Sequence, residues 1–179
     1  PSEVMGKVPG VHVNVTGGEG HMTAIRQPIT TAPVYLYLED GIPTRSTGFF
    51  NHNALYEINV PQSAGIEVSK GPGSALHGSD AMAAVINVST KAAPEETEGD
   101  VSLELGSFGW QRLLIGGGTA SLNHGIRADL NLTHTDGWRD STAYERHSAT
   151  VRLESFLDNS VKATTVLNIA NFNQPIAGC

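Results

Sequence analysis

Seven histidines, His12, His21, His52, His77, His124, His134 and His147, are the side chains of this sequence best suited to hold a metal or move a proton. A tight protein metal site needs donors at short fixed spacings, and none of the seven stands in an H-x-x-x-H pair or beside paired cysteines. No metal site is expected from them. The stretch IEVSKGPGSALHGSDAMAAVINVSTK (66–91) offers glycines that could cradle a phosphate. A P-loop needs G-x-x-x-x-G-K-[ST], but Gly78 is followed by Ser79 in place of the lysine and then by Asp80, whose carboxylate would repel phosphate. GPGSALHG also lacks the G-x-G-x-x-G spacing of a dinucleotide turn and carries a proline inside it. Ser79 has no G-x-S-x-G elbow, and Glu95, Glu96 and Glu98 fall in a polar linker. The sequence therefore predicts neither a catalytic residue nor a cofactor, and the chain is not expected to be an enzyme.

The same glycines have a structural use. Gly71, Gly73 and Gly78 allow a sharp turn after IEV and the start of a short helix, with Pro72 fixing φ inside the turn.

Composition narrows the partners. With 39% apolar and 16% charged residues and 20 glycines, the chain favours β structure over a helical bundle. A net charge of -7 with scattered lysines and arginines provides no basic stripe, which argues against nucleic acid. The one cysteine, Cys179, can form no internal disulfide. PSEVMGKVPGV has neither the basic start nor the apolar run of a leader. The N-x-[ST] triplets at Asn14, Asn87 and Asn131 matter only in a secreted eukaryotic protein, to which nothing else points. No run of about 18 apolar residues is present, so a spanning helix is excluded while a spanning β-barrel is not.

The chain divides at KAAPEETEGD (91–100). Before it, VHVNV (11–15), VYLYLEDGIP (34–43), IEV (66–68) and VINVST (85–90) read as short strands, the second running into an Asp-Gly turn. NHNALYEI (51–58) and GSALHGSDAM (73–82) read as short helices. After it, VSLEL (101–105), IRADLNLTH (126–134) and HSATVRLES (147–155) alternate strictly, and VKATTVLNIANF (161–172) less cleanly, since Val166 and Phe172 fall on its polar side. SLNHG (121–125) and LDNS (157–160) are tight turns, whereas TDGWRDSTAYER (135–146) is a longer loop. One oily face, one charged face, and short turns opposite long loops suit an outer-membrane barrel; a soluble antiparallel sandwich shares the same alternation. The two differ in the fate of the face carrying Val101, Ile126, Leu130, Val151 and Leu167: lipid-facing strands leave it bare, and a sandwich covers it with a second sheet.

VPGVHV (8–13), AIRQ (24–27), VYLYLEDGIP (34–43) and the 66–91 stretch occur in the order and spacing of one family. They resemble the plug domain of TonB-dependent outer-membrane receptors. The resemblance implies an α+β plug domain over 1–93, followed over 99–179 by about five strands of an incomplete transmembrane β-barrel, which in full would have 22. It departs from the family where Ala83 and Ala84 stand for two glycines and where Gln27 stands for a glycine after Arg26.

What the resemblance implies for function is uptake of a scarce solute, with a ferric siderophore favoured, across the bacterial outer membrane, driven by TonB and the proton gradient. The TonB-contacting segment would precede Pro1. Arg26 and Lys70, with Glu67, would hold plug to barrel until TonB pulls, their partners on the barrel wall lying beyond Cys179. The small-molecule or metal-chelate ligand would meet the outward loops TGGEGH (16–21), with Gly18, Glu19 and His21, and STGFFNHN (46–53), with Phe49, Phe50, Asn51, His52 and Asn53. From the residues alone, the two phenylalanines serve equally well as core and the asparagines as helix caps. Any iron would arrive already wrapped in its chelator. Trp110, Trp138 and Tyr144 could line loops over the pocket or sit at the lipid headgroup level, and the second is expected of them. The alternative reading is a soluble β-rich binding module without transport activity.

Overall fold

A computed structural model describes the chain except for Gly18, Thr31, residues 45–53, Ser79, residues 159–160 and residues 175–179. It comprises two compact units, Pro1–Ser89 and Thr90–Cys179.

In the first unit a five-residue helix α1 (Ser2–Gly6) precedes the antiparallel hairpin β1 (Val11–Gly17) and β2 (Gly20–Ile25). Then follow β3 (Tyr35–Glu39), β4 (Ile42–Pro43), two 3-10 turns (Ala54–Glu57 and Val60–Gln62), β5 (Ser63–Lys70), the short α2 (Ser74–His77) and β6 (Ala84–Thr90). The last four strands form one sheet in the order β4-β3-β6-β5. Its centre is the parallel pair β3–β6, which places Tyr35 beside Ala84 and Tyr37 beside Ile86.

Parallel strands require a long crossover, here supplied by residues 40–83. The apolar run of β3 is continuous because both faces are covered. Tyr35 and Tyr37 join the core of Met5, Ile25, Leu55, Ile58, Ile86 and Val88, while Leu36 and Leu38 pack with Ala81 and Val85 on the other side. The Asp-Gly turn between β3 and β4 has both residues at positive φ, +50° for Asp40 and +81° for Gly41, as the right-handed twist of a two-residue hairpin demands.

Two local expectations are corrected here, and one short helix was not anticipated. Gly20 and His21, expected in an outward loop, instead open strand β2, whose buried polar His21 and Thr23 break the alternation that would have announced it, while Glu19 stays in the turn before it. α1 had no signature, because five residues are too few to show a helical period. The helix expected over 51–58 is a single 3-10 turn from Ala54, its proposed asparagine cap lying outside the described residues.

The second unit is an antiparallel meander of β7 (Glu98–Leu105), β8 (Gln111–Ala120), β9 (His124–Thr135), β10 (Tyr144–Asp158) and β11 (Val161–Asn173). Every strand pairs with its sequence neighbour. Residues 121–123 join β8 to β9 at one rim, and the longer 136–143 joins β9 to β10 at the other. The 12 residues of β9 and 13 of β11 exceed the roughly 9–11 that a tilted strand needs to cross a bilayer.

Burial in this sheet is inverted relative to a soluble protein. Along β9 the polar residues Arg127, Asp129, Asn131, Thr133 and Thr135 are buried, while Ile126 is 44% exposed and Leu130 and Leu132 are half-buried. In β10, Arg146, Ser148, Thr150 and Glu154 are buried and Leu153 is exposed. Val101 is 71% and Leu167 57% exposed, Val151 is half-buried, and among the described residues of this unit no second sheet covers that face. This bare face argues against the sandwich.

Candidate functional site

The turn after β5 positions the chemistry-bearing end of the first unit. Gly71 lies at φ +131° and Gly78 at φ +88° with ψ -166°, backbone states open essentially only to glycine. Gly73 fits for lack of a side chain: a Cβ there would stand 2.7 Å from Val85 Cγ2. The amides of Gly71 and Gly73 donate to the carbonyls of Ala83 and Ala81, tying the turn to the approach of β6.

Of the charges expected to hold plug to barrel, Arg26 and Glu67 are exposed on this unit, and Lys70 donates from Nζ to the Pro9 carbonyl at 2.6 Å. Arg26 sits at φ +57°, an uncommon state for a non-glycine residue, just after β2.

The expected ligand residues divide. Gly18, Phe49, Phe50, Asn51, His52 and Asn53 lie outside the described residues. Glu19 and His21 are described and deeply buried. His21 donates from Nδ1 to the Glu19 carbonyl at 2.9 Å, which leaves Nε2 as the lone-pair nitrogen, with no hydrogen-bond partner among the described residues. Burial holds the His21 pKa below its ordinary 6.5, opposed by the Glu19 carbonyl bond.

His21 belongs to a buried polar seam. Tyr37, in the core of the same unit, has its phenol pushed well above the usual value by burial. Tyr35 accepts the Ile25 amide at 2.9 Å and a Gln27 side-chain N–H at 3.2 Å on its hydroxyl. No cluster of three or more His, Cys, Asp or Glu able to hold a metal occurs among the described residues.

The polar face of the second unit carries the strongest electrostatics. Arg127 makes a bidentate pair with Asp129, Nε to Oδ2 and Nη2 to Oδ1 both at 2.9 Å, and reaches Glu98 at 3.2 Å and Asp100 at 3.3 Å on β7. Gly116 makes room for this knot, since a Cβ there would stand 2.5 Å from Asp129 Oδ1. One strand over, Arg152 pairs with Glu154, which also takes Lys162 at 3.0 Å. Alternation had placed these residues on the polar side, but which acid meets which base depends on cross-strand register and was not read from the sequence.

The aromatic residues are not equivalent. Trp138 is 58% exposed under Arg139, and Arg112 lies 4.7 Å from the Trp110 ring centroid. Tyr144 does not join them: it is buried on the polar face with Arg146, because its register opposite Thr135 puts it there.

A parallel–antiparallel plug fold, a glycine-built turn leading into its central strand, and an inside-out antiparallel sheet define the class. The family model for the TonB-dependent Receptor Plug Domain matches residues 1–85. The chain belongs to the TonB-dependent receptors of the bacterial outer membrane, as a plug domain followed by strands of the receptor barrel.

It is 38% identical over 135 residues to the vitamin B12 transporter BtuB of Vibrio vulnificus strain CMCP6, covering 69% of this chain and 21% of that protein. It is 32% identical over 120 residues to the same transporter of Vibrio cholerae, covering 66% and 19%. The chain thus spans about a fifth of the length of the curated relatives it matches.

Among solved structures, the fold matches the copper transporter OprC at a TM-score of 0.82 and 18% identity, covering 99% of this chain and 29% of that one. It matches the ferric citrate transporter FecA at 0.80 and 20% identity with the same coverage. The ferripyoverdine receptor of the Pseudomonas aeruginosa outer membrane follows at 0.76 and 22% identity, covering 94% and 22%.

Proposed function

We propose that the protein carrying this chain is an uptake receptor of the bacterial outer membrane, coupled through TonB to the proton gradient and moving a bulky metal complex inward. The observation that carries this reading is the inverted sheet: a bare apolar face over Ile126, Leu130 and Leu167 and a buried charged face over Arg127, Asp129 and Arg146. A strand sheet with that burial fits lipid on one side and a polar interior on the other. The plug over residues 1–85 supplies the element that such a receptor needs to close and open its path. Arg26, Glu67 and Lys70 belong to the proposal as charges that retain the plug, and the loop with Phe49, Phe50, Asn51, His52 and Asn53 as ligand contact. Glu19 and His21, being buried, serve this role only if the plug loosens.

A ferric siderophore is the cargo that family resemblance favours, and the structural neighbours that bind ferric chelates support it at the level of fold. A corrinoid is the second reading, favoured by the vitamin B12 transporters at 32–38% identity. Both are bulky chelated metals. Uptake of radiolabelled ferric siderophores and of labelled cyanocobalamin, in cells with and without the gene and with and without a protonophore, tests it. Uptake of one label that needs both gene and proton gradient identifies the cargo class; uptake of both labels unaffected by deletion sinks the proposal.

A further inference from the structure

The last residue of β6, Thr90, is gripped where the strand unit begins. Arg152 Nη1 donates to both oxygens of Thr90, the hydroxyl at 2.6 Å and the carbonyl at 3.3 Å. Arg152 is itself held: Nε and Nη2 both bond Glu154 Oε1, at 2.8 and 2.7 Å, and the other Glu154 oxygen takes Lys162 Nζ at 3.0 Å. The links therefore run from β11 through β10 to the first residue of the unit.

Beyond Thr90 the chain crosses bare backbone. A Cβ on Gly125 would stand 2.6 Å from the Ala93 methyl, and one on Gly118 would stand 2.7 Å from Pro94 Cδ. Pro94 needs no partner for an amide hydrogen and stiffens the crossing. Further on, the Thr97 and Thr119 hydroxyls meet at 2.8 Å.

Sheet pairing alone does not explain the arginine. Arg152 stands directly opposite Arg127 in the β9–β10 register, a like-charge placement that weakens a sheet. Arg127 takes its own acids from Asp129, Asp100 and Glu98. The guanidinium at position 152 meets Glu154 within its own strand and reaches Thr90 outside the sheet.

We infer that Lys162, Glu154 and Arg152, with the bare backbone at Gly118 and Gly125, form an anchor that fixes residues 90–94 to the strand sheet and sets the point at which unravelling of the preceding residues stops. The second half of this inference rests on the energy-coupled reading; the first half does not.

Cleavage by a glutamate-specific protease at the exposed Glu95 and Glu96 reports local release of this segment. In the intact outer-membrane protein in detergent, Arg152→Ala and Arg152→Lys each raise that cleavage about tenfold, as expected for loss of a forked charge-assisted bond. Gly125→Ala does the same without touching a charge, and cleavage at Glu145 stays unchanged, showing that the sheet is intact. Unchanged cleavage at Glu95 and Glu96 in both Arg152→Ala and Gly125→Ala overturns the anchor, whether or not the protein transports anything. In energised spheroplasts supplied with a ferric siderophore or, separately, with cyanocobalamin, wild-type cleavage at these sites stays at its protonophore-treated level; a rise on energisation with either overturns the stopping role while leaving transport itself standing.

Discussion

At the scale of single residues, the buried positions that matter most are polar. Arg127 and Asp129 are 3% and 6% exposed and satisfy each other through two bonds, so removing one partner leaves an uncompensated buried charge. Arg127→Ala is expected to lower the stability of the strand unit by about 3 kcal/mol, read from denaturant unfolding in micelles. Gly116→Val should reproduce most of that loss by displacing the same groups, and a neutral outcome for both would remove the knot from the account.

His21 makes a separate prediction about pH. Its folded-state pKa lies below the ordinary 6.5, so the unfolded chain takes up the proton first as the pH falls. Its contribution to stability is complete above about pH 6.5 and is lost as the pH drops from there through the lower folded value, by at most about 1.4 kcal/mol per pH unit. Melting of wild type and His21→Gln between pH 8 and pH 5 should therefore converge at the acid end; parallel curves would show that His21 does not titrate as described. Glycine roles were readable from sequence where φ was at stake, as at Gly71 and Gly78, but the need for bare backbone at Gly116, Gly118 and Gly125 was not, because it arises from residues one or more strands away.

At the scale of elements, alternation identified β7, β9 and β10 because a strand with one wet and one oily face writes its period directly into the sequence. It identified β11 less well, where Val166 and Phe172 stand opposite Arg152 and Arg146 on the polar face. β2 escaped notice because five of its six residues are buried without regard to parity and two of them, His21 and Thr23, are polar.

The face assignment is testable in a single strand. Leu130→Lys, on the apolar side of β9, is expected to cost roughly 2–4 kcal/mol of stability in a bilayer if that residue lies near the midplane. A polar exchange on the other face of the same strand, Thr133→Ser, should cost less in the same folding assay. Equal penalties on the two faces would show that the strand does not separate lipid from a polar interior.

At the scale of the whole molecule, β7 and β11 are the outermost strands of the sheet among the described residues, and long exposed edges invite association. Produced as residues 1–179, the polypeptide should therefore need detergent to stay monodisperse, as size-exclusion chromatography with light scattering would report. A stable monomer in plain buffer would contradict a lipid-facing role for the Val101, Leu103 and Leu167 side of the sheet.

The sequence by itself determined the class of the protein through the resemblance of its motifs to the plug family, and period-two alternation marked the later strands, because both are written in neighbouring residues. Only tertiary structure decided that the alternating sheet buries its charges and bares its leucines, since a two-fold period names two faces without saying which one is covered. It also decided that Arg152 reaches Thr90 across 62 positions and that Arg127 gathers three acids, because such contacts follow from strand register and not from proximity along the chain.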